Sequence, residues 1–525
     1  MNRSTRLIAI VVVLALVGGG AAVTLVAALT GAGGMGGSSS FTPAPTTRPQ
    51  PGATTAPDPA LERFYNQSIA WGDCTGDGPA ECAALTVPVD YRDPSGAVIK
   101  LNLLRIPASD PSERIGSLVV NPGGPGAPGT QYAAQAEQVF RKPLLQHFDI
   151  VGFDPRGTGD SDPVECLTPS QLDAFLATDP DPDTPSESQE LTDGLAAFYR
   201  GCVQRSDQLI GHVTTVETAR DMDVLRAALG ETRLTYFGAS YGTKLGATYA
   251  DLFPENVGRF VLDGAVDVSL DFRQLALGQA RGFETALRAY VADCVQSASC
   301  PLGDDVEGGL AKITDLVDST DSKPLPTGQQ DRPLTEALAF YGLVTPLYNR
   351  DYWPYLTQAL AAAFKGDGSV LLALADAYAS RLPDGTYADN SAQAIYAINC
   401  LDDPSSISPA QVPAELPAFE KASPTFGKVF AWGLVGCRGI QVKATETDDS
   451  VTAAGAPPIV VIGTTRDPAT PYAWAVALAK QLKSGVLITR DGDGHTGYNS
   501  GNQCVDEAVE AYLVDDTVPE DGLRC

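Results

Sequence analysis

Leu234-Thr-Tyr-Phe-Gly-Ala-Ser-Tyr-Gly-Thr-Lys-Leu-Gly-Ala-Thr-Tyr-Ala-Asp-Leu-Phe-Pro254 reads as a strand, a sharp turn and a helix in immediate succession. Leu234 to Phe237 has the composition of a buried strand, and Tyr241 to Phe253 that of a helix, which Pro254 closes because proline cannot continue the hydrogen-bonded spiral. The turn between them, Gly238-Ala-Ser-Tyr-Gly242, fits G-x-S-x-G. On such a turn the serine projects above the carboxyl edge of a sheet, and the small flanking residues let strand and helix approach closely. Ser240 is therefore the candidate nucleophile. In a chain with 52 glycines the bare motif is weak evidence, and its place between strand and helix gives it weight.

Outward from this turn, short β-rich runs alternate with helical patterns, which implies an α/β fold with a mostly parallel sheet flanked by helices. Leu85 to Val89 and Val98 to Ile106 read as opening strands. Ser117 to Val120, Phe148 to Phe153, Val257 to Leu262, Pro458 to Gly463 and Val486 to Thr489 read as further strands. Val216 to Leu229, Tyr472 to Leu482 and Val505 to Leu513 read as helices. Between about 266 and 455 the pattern becomes Ala- and Leu-rich and helical, as in Glu284 to Val295, Leu334 to Tyr348, Tyr355 to Phe364 and Val370 to Ala379. The expected organisation is an α/β-hydrolase core over 61–265 and 456–525, interrupted by a helical cap over 266–455.

A serine hydroxyl becomes a useful nucleophile when a base takes its proton, and histidine is the usual base because it titrates near neutrality. The chain has three histidines. In an α/β-hydrolase the order is serine, acid, histidine, so His147 and His212 lie on the wrong side of Ser240 and His495 remains. His495 stands in Asp491-Gly-Asp-Gly-His-Thr-Gly497, between the last strand and the last helix. Asp467, in the loop that leaves the preceding strand, is the preferred acid, and Asp263 after the strand before that is its competitor. Asp491 and Asp493 share the histidine's own loop and would have to fold back on it. A tetrahedral oxyanion also needs backbone N–H donors. Tyr241 supplies one, and the loop Asn121-Pro-Gly-Gly-Pro-Gly126 offers Gly123 or Gly124, since its prolines have no N–H.

The net charge of −28 argues against nucleic-acid partners, which demand Lys and Arg facing phosphates. Arg3 and Arg6 precede an uncharged stretch from Leu7 to Leu29, an export signal over 1–31 that is either cleaved or retained as a membrane anchor. Residues 32–60 are Gly, Ser, Thr, Pro and Ala with almost no apolar bulk and read as a linker. The ten cysteines all follow this linker and form no C-x-x-C pair, so disulfides in an oxidising compartment are expected and a metal site is not. The connectivity expected is consecutive. The mechanism outlined requires no cofactor.

The Asn-Pro-Gly-Gly-Pro-Gly loop, Asp154-Pro-Arg-Gly-Thr-Gly-Asp-Ser161, Ala219-Arg-Asp-Met-Asp-Val-Leu-Arg226, Ser240-Tyr-Gly-Thr243, Leu252-Phe-Pro254 and Val261-Leu-Asp-Gly264 together resemble the exported tripeptidyl aminopeptidases of actinobacteria, relatives of the prolyl aminopeptidases. The resemblance spans roughly residues 65 to 525. That family's first loop often begins His-Gly-Gly-Pro-Gly, where this chain has Asn-Pro before Gly123. The resemblance implies an exopeptidase acting on peptide or protein substrates, with a helical cap restricting access. Such an enzyme must hold a free α-ammonium, for which a carboxylate is the natural partner. Asp402 and Asp403 are the candidates, Asp402 preferred because the family shows a similar Cys-x-Asp. The Asp154 and Arg156 turn reads as mainly structural. A secreted esterase or lipase with the same three residues, and a noncatalytic envelope binding protein, are the competing readings.

Overall fold

A computed structural model of the chain describes residues 54–74, 78–206, 208–447 and 450–525; the expected export signal and most of the linker lie outside the described residues. The strands are β1 (Gly72–Asp73), β2 (Glu81–Pro88), β3 (Val98–Ile106), β4 (Gly116–Asn121), β5 (Phe148–Phe153), β6 (Leu234–Ala239), β7 (Val257–Asp263), β8 (Ile459–Arg466), β9 (Gly485–Asp493) and β10 (Leu523–Arg524). They form one sheet in the order β1-β2-β3-β5-β4-β6-β7-β8-β9-β10. The β1–β2, β2–β3 and β3–β5 pairs are antiparallel, and every pair from β5–β4 to β9–β10 is parallel. The chain has the α/β-hydrolase fold.

The parallel strands are continuous apolar runs because both faces are covered. Alternate residues point opposite ways: Val119, Phe260 and Leu262 join one hydrophobic cluster, while Leu118, Val120 and Val261 join another on the far face. Among the described residues the helices of seven residues or more are α1 (Pro169–Leu176), α2 (Pro185–Arg205), α3 (Thr215–Ala228), α4 (Tyr241–Leu252), α5 (Phe272–Cys294), α6 (Val306–Ser322), α7 (Glu336–Val344), α8 (Trp353–Ala363), α9 (Ser369–Tyr378), α10 (Ser391–Asp402), α11 (Val412–Ala422), α12 (Gly427–Gly433), α13 (Tyr472–Gln481) and α14 (Gln503–Asp515). Helices α5 to α12 all lie between β7 and β8; α5 to α9 build a hydrophobic cluster of their own, with Leu287, Leu316, Leu343, Leu360 and Leu371 buried in it, whereas Ile398 of α10, Phe419 of α11 and Ala431 of α12 join the core cluster.

Helices α1 and α2 are absent from the sequence reading and bind the core to that helical insertion. Asp173 of α1 receives both Arg381 Nε (2.6 Å) and Nη2 (2.8 Å), and Tyr199 of α2 donates to the Gly436 carbonyl at 2.7 Å. All ten cysteines are paired, in the consecutive order expected: Cys74–Cys82, Cys166–Cys202, Cys294–Cys300, Cys400–Cys437 and Cys504–Cys525. Arg156 is fully buried. Its guanidinium donates to both Asp221 oxygens (2.8 and 2.7 Å) and to the carbonyls of Val89, His212 and Pro88, which uses all five of its N–H groups. Asp154 accepts from the Thr130 N–H and hydroxyl and from the Asp160 N–H. Both side chains fasten the turn after β5 and stand apart from Ser240.

Candidate active site

Ser240 sits at the β6–α4 junction with φ +56° and ψ −127°, a conformation that costs a non-glycine residue about 1–3 kcal/mol. The surroundings hold it there. Its N–H donates to the Asp263 carbonyl of the adjacent strand at 2.9 Å, and a Cβ on Gly238 would collide with the carbonyl of Gly242. A Cβ on Gly123 would lie 2.6 Å from the Ala239 carbonyl oxygen and 2.8 Å from Ser240 Cβ, so the loop after β4 packs directly against the serine turn. The Gly123 N–H is engaged by Asn121 Oδ1 at 2.9 Å, whereas Gly124 borders the cavity onto which Ser240 opens. Tyr241 begins α4, so its N–H belongs to the first turn and has no intrahelical acceptor.

His495 follows the end of β9, which runs four residues beyond the expected Thr489. Its Nδ1 lies 2.9 Å from both Oδ1 and Oδ2 of Asp467, and its N–H donates to the Tyr348 carbonyl of the helical insertion at 2.7 Å. The Tyr348 ring meets the imidazole edge-on, with centroids 5.5 Å apart. His495 Nε2 is buried and has no hydrogen-bond partner among the described residues. Burial disfavours the imidazolium, but the charge of Asp467 and its hydrogen bond outweigh this and raise the pKa above the ordinary 6.5.

Asp467 is itself buried and fixed by the N–H groups of Ala469 (3.0 Å) and Thr470 (2.9 Å) and by the Thr470 hydroxyl (3.0 Å). Asp263, the competitor, does not contact the imidazole through a hydrogen bond. Its carboxylate accepts the N–H groups of Gly497 (2.7 Å) and Tyr498 (2.9 Å), two and three residues past the histidine. Ser240 and His495 border a common cavity of about 870 Å³ between core and insertion. Tyr341, Tyr348, Tyr378 and Tyr396 contribute to its walls, as do two ion pairs, Asp173–Arg381 and Asp376–Arg332.

The protein known as serine protease Hip1 in Mycobacterium tuberculosis (strain ATCC 25618 / H37Rv) is 40% identical over 484 residues, covering 88% of this chain and 92% of that protein. The chain belongs to the TAP-like serine hydrolases. Residues 423–525 of this TAP-like hydrolase match the family model described as TAP-like protein. It is also 38% identical over 490 residues to carboxylesterase B of M. tuberculosis, covering 91% of this chain and 93% of the relative. Tripeptidyl aminopeptidase of Streptomyces lividans is 33% identical over 488 residues, covering 89% and 88%.

In the TAP-like hydrolase neither Asp402 nor Asp403 is among the described residues that border the cavity. Asp402, at the end of α10, is buried and paired with Lys244 Nζ at 2.7 Å; it also accepts the Thr215 N–H at 2.9 Å and the Thr215 hydroxyl. Thr215 in turn bonds the Tyr241 hydroxyl at 2.6 Å, so Asp402 fastens the insertion to α3 and α4 from behind. Asp403 accepts the N–H groups of Phe272 and Ser405, both at 2.9 Å, and positions the start of α5. The lysine partner lies 158 residues from Asp402 in the chain, so no local pattern reveals the pairing. The Tyr348 contact to the histidine loop was equally hidden, because it runs through a backbone carbonyl that any residue supplies.

Proposed function

We propose that this TAP-like hydrolase is an exported serine exopeptidase that releases short N-terminal peptides, with Ser240 as nucleophile, His495 as base and Asp467 as the orienting acid. The observation that carries the reading is the imidazole itself: Nδ1 is held by a buried carboxylate, while Nε2 is unpartnered in the cavity that Ser240 enters. Ser240 Oγ attacks the scissile carbonyl carbon as its proton passes to Nε2. Asp467 stabilises the imidazolium, and the oxyanion is met by the N–H groups of Tyr241 and Gly124. Collapse of the tetrahedral species breaks the C–N bond, with the proton on Nε2 going to the leaving amine. Water then repeats the sequence on the acyl-enzyme. The disulfides, and the export signal read in the sequence, support the extracytoplasmic side. Among the described residues no helix is long and apolar enough to cross a membrane.

Ser240→Ala should lower kcat by about a millionfold, as in an analogous triad, and abolish labelling by a fluorophosphonate. Retained turnover would overturn the nucleophile, and a folded wild-type protein inert to every acyl substrate would favour a binding protein. A second reading, an esterase with the same three residues, is favoured by the relative at 38% identity that is called a carboxylesterase. Short esters set against tripeptide amides with free and acetylated N-termini separate the two, the exopeptidase requiring a preference for the free amine.

A further inference from the structure

We propose that Asp389 holds the α-ammonium of the substrate, an inference that rests on the exopeptidase reading above. Among the described residues six carboxylates border the cavity: Asp173, Asp263, Asp351, Asp376, Asp389 and Asp493. Four are engaged. Asp173 takes two bonds from Arg381 and one from the Tyr387 hydroxyl. Asp376 takes two from Arg332 at 2.7 and 3.0 Å. Asp493 is paired with Arg466 and Arg350, and Asp263 is filled by the histidine loop. Asp351 is exposed, where a charge contact is screened by water. Asp389 is half-buried and accepts the Ser391 N–H at Oδ1, 2.9 Å away. Among the described residues it has no cationic partner within ion-pair distance, which leaves a partly desolvated negative charge for a ligand cation to neutralise.

The placement of Asp389 is rigid and has a length scale. Its neighbour Asn390 donates to the carbonyls of Gly157 (2.8 Å) and Val164 (3.0 Å) and accepts the Gly159 N–H (2.9 Å), pinning the start of α10 to the core. Further along α10, Ala394 and Ile395 rest on the glycine loop beside Ser240: a Cβ on Gly126 would lie 2.7 Å from Ala394 Cβ and 3.2 Å from the Ile395 nitrogen. From Ser391, where α10 begins, to Ile395 the helix rises roughly 6 Å at about 1.5 Å per residue, and Asp389 lies two non-helical residues further out. Three extended residues span roughly 10 Å. On this proposal a peptide lies along α10, with its scissile carbonyl at Ser240 and its ammonium toward Asp389.

The test uses the purified protein, Asp389→Asn and, as a control at the rim, Asp351→Asn, on an alanine tripeptide anilide with a free N-terminus, its acetylated form and a short ester. Loss of one charge-assisted contact should lower kcat/KM for the free tripeptide about 10- to 100-fold, mainly through KM. The acetylated peptide and the ester should keep their rates, and Asp351→Asn should resemble wild type. Asp389→Glu, which keeps the charge, should restore much of the free-amine preference. An Asp389→Asn enzyme that still prefers the free amine as wild type does would overturn the assignment while leaving the exopeptidase reading intact. Equal losses on all three substrates would likewise overturn it, as a structural effect. A wild-type enzyme indifferent to acetylation would overturn both.

Discussion

Two buried carboxylates serve the histidine loop in different ways, and substitution can tell them apart. Asp467 faces the imidazole, so Asp467→Asn removes the two largest interactions that raise the His495 pKa and leaves the burial that lowers it, opposed only by the charge of Asp263. The base must be neutral to accept a proton. The wild-type acid limb should therefore lie above pH 6.5 and move to lower pH in the variant, with kcat lower by about 10⁴, as in an analogous triad; a pH–rate profile of ester hydrolysis checks both. Asp263 faces the backbone. Burial pushes its pKa up to about 6 despite the N–H groups of Tyr498 and Gly497, so its ionisation costs stability. Because the folded pKa is raised, the stability it contributes is full below its ordinary 3.8 and is lost as pH rises through about 6. Asp263→Asn turns an amide N–H toward one of the two donors, and leaving that donor unsatisfied should cost about 1–3 kcal/mol in urea denaturation near pH 7. Ester KM should stay nearly constant.

Among the elements, those whose signals are local were legible. The β6 strand, the Ser240 turn and α4 follow from adjacent residues, and the order serine, acid, histidine selects His495 without any knowledge of contacts. Helices α1 and α2 went unread although each begins with a reciprocal capping box, Thr168 with Gln171 and Thr184 with Glu187. That signature was in the sequence, but the polar, proline-bearing run around it masked the helical period. What stayed illegible were partners joined by folding, such as Lys244 with Asp402 and Arg381 with Asp173. Arg156 illustrates how strongly such a partnership binds elements, since it joins β2, the turn after β5 and α3. Arg156→Met would leave Asp221 buried without its cation, the Tyr91 hydroxyl still donating to it, and should destabilise the protein by about 3–5 kcal/mol in urea titration. Catalytic constants of the folded fraction should change little.

Across the whole molecule, acidity has a local consequence where the helical insertion meets the segment between α1 and α2. Burial, then the neighbouring carboxylates of Asp181, Asp179 and Asp321, push Glu336 at the start of α7 well above the usual carboxylate range. Burial raises Asp181 too, against a hydrogen bond with Glu336 and the charge of Lys428. Both folded pKa values are raised, so this contact stabilises the fold fully below the ordinary carboxylate pKa and less as pH rises. Glu336→Gln should therefore raise Tm more at pH 9 than at pH 5, measured by calorimetry; an equal shift at both would count against the cluster. A different consequence follows from how few imidazoles the chain carries. His147 is tied to the Pro143 carbonyl and His212 to Glu217, both remote from Ser240 in role, while His495 alone presents an unpartnered buried nitrogen. With three histidines in 525 residues, ring-nitrogen magnetic resonance of the protein is a spectrum of three spin systems. The one that shifts when a non-hydrolysable peptide is added reports occupancy directly, at equilibrium and without turnover.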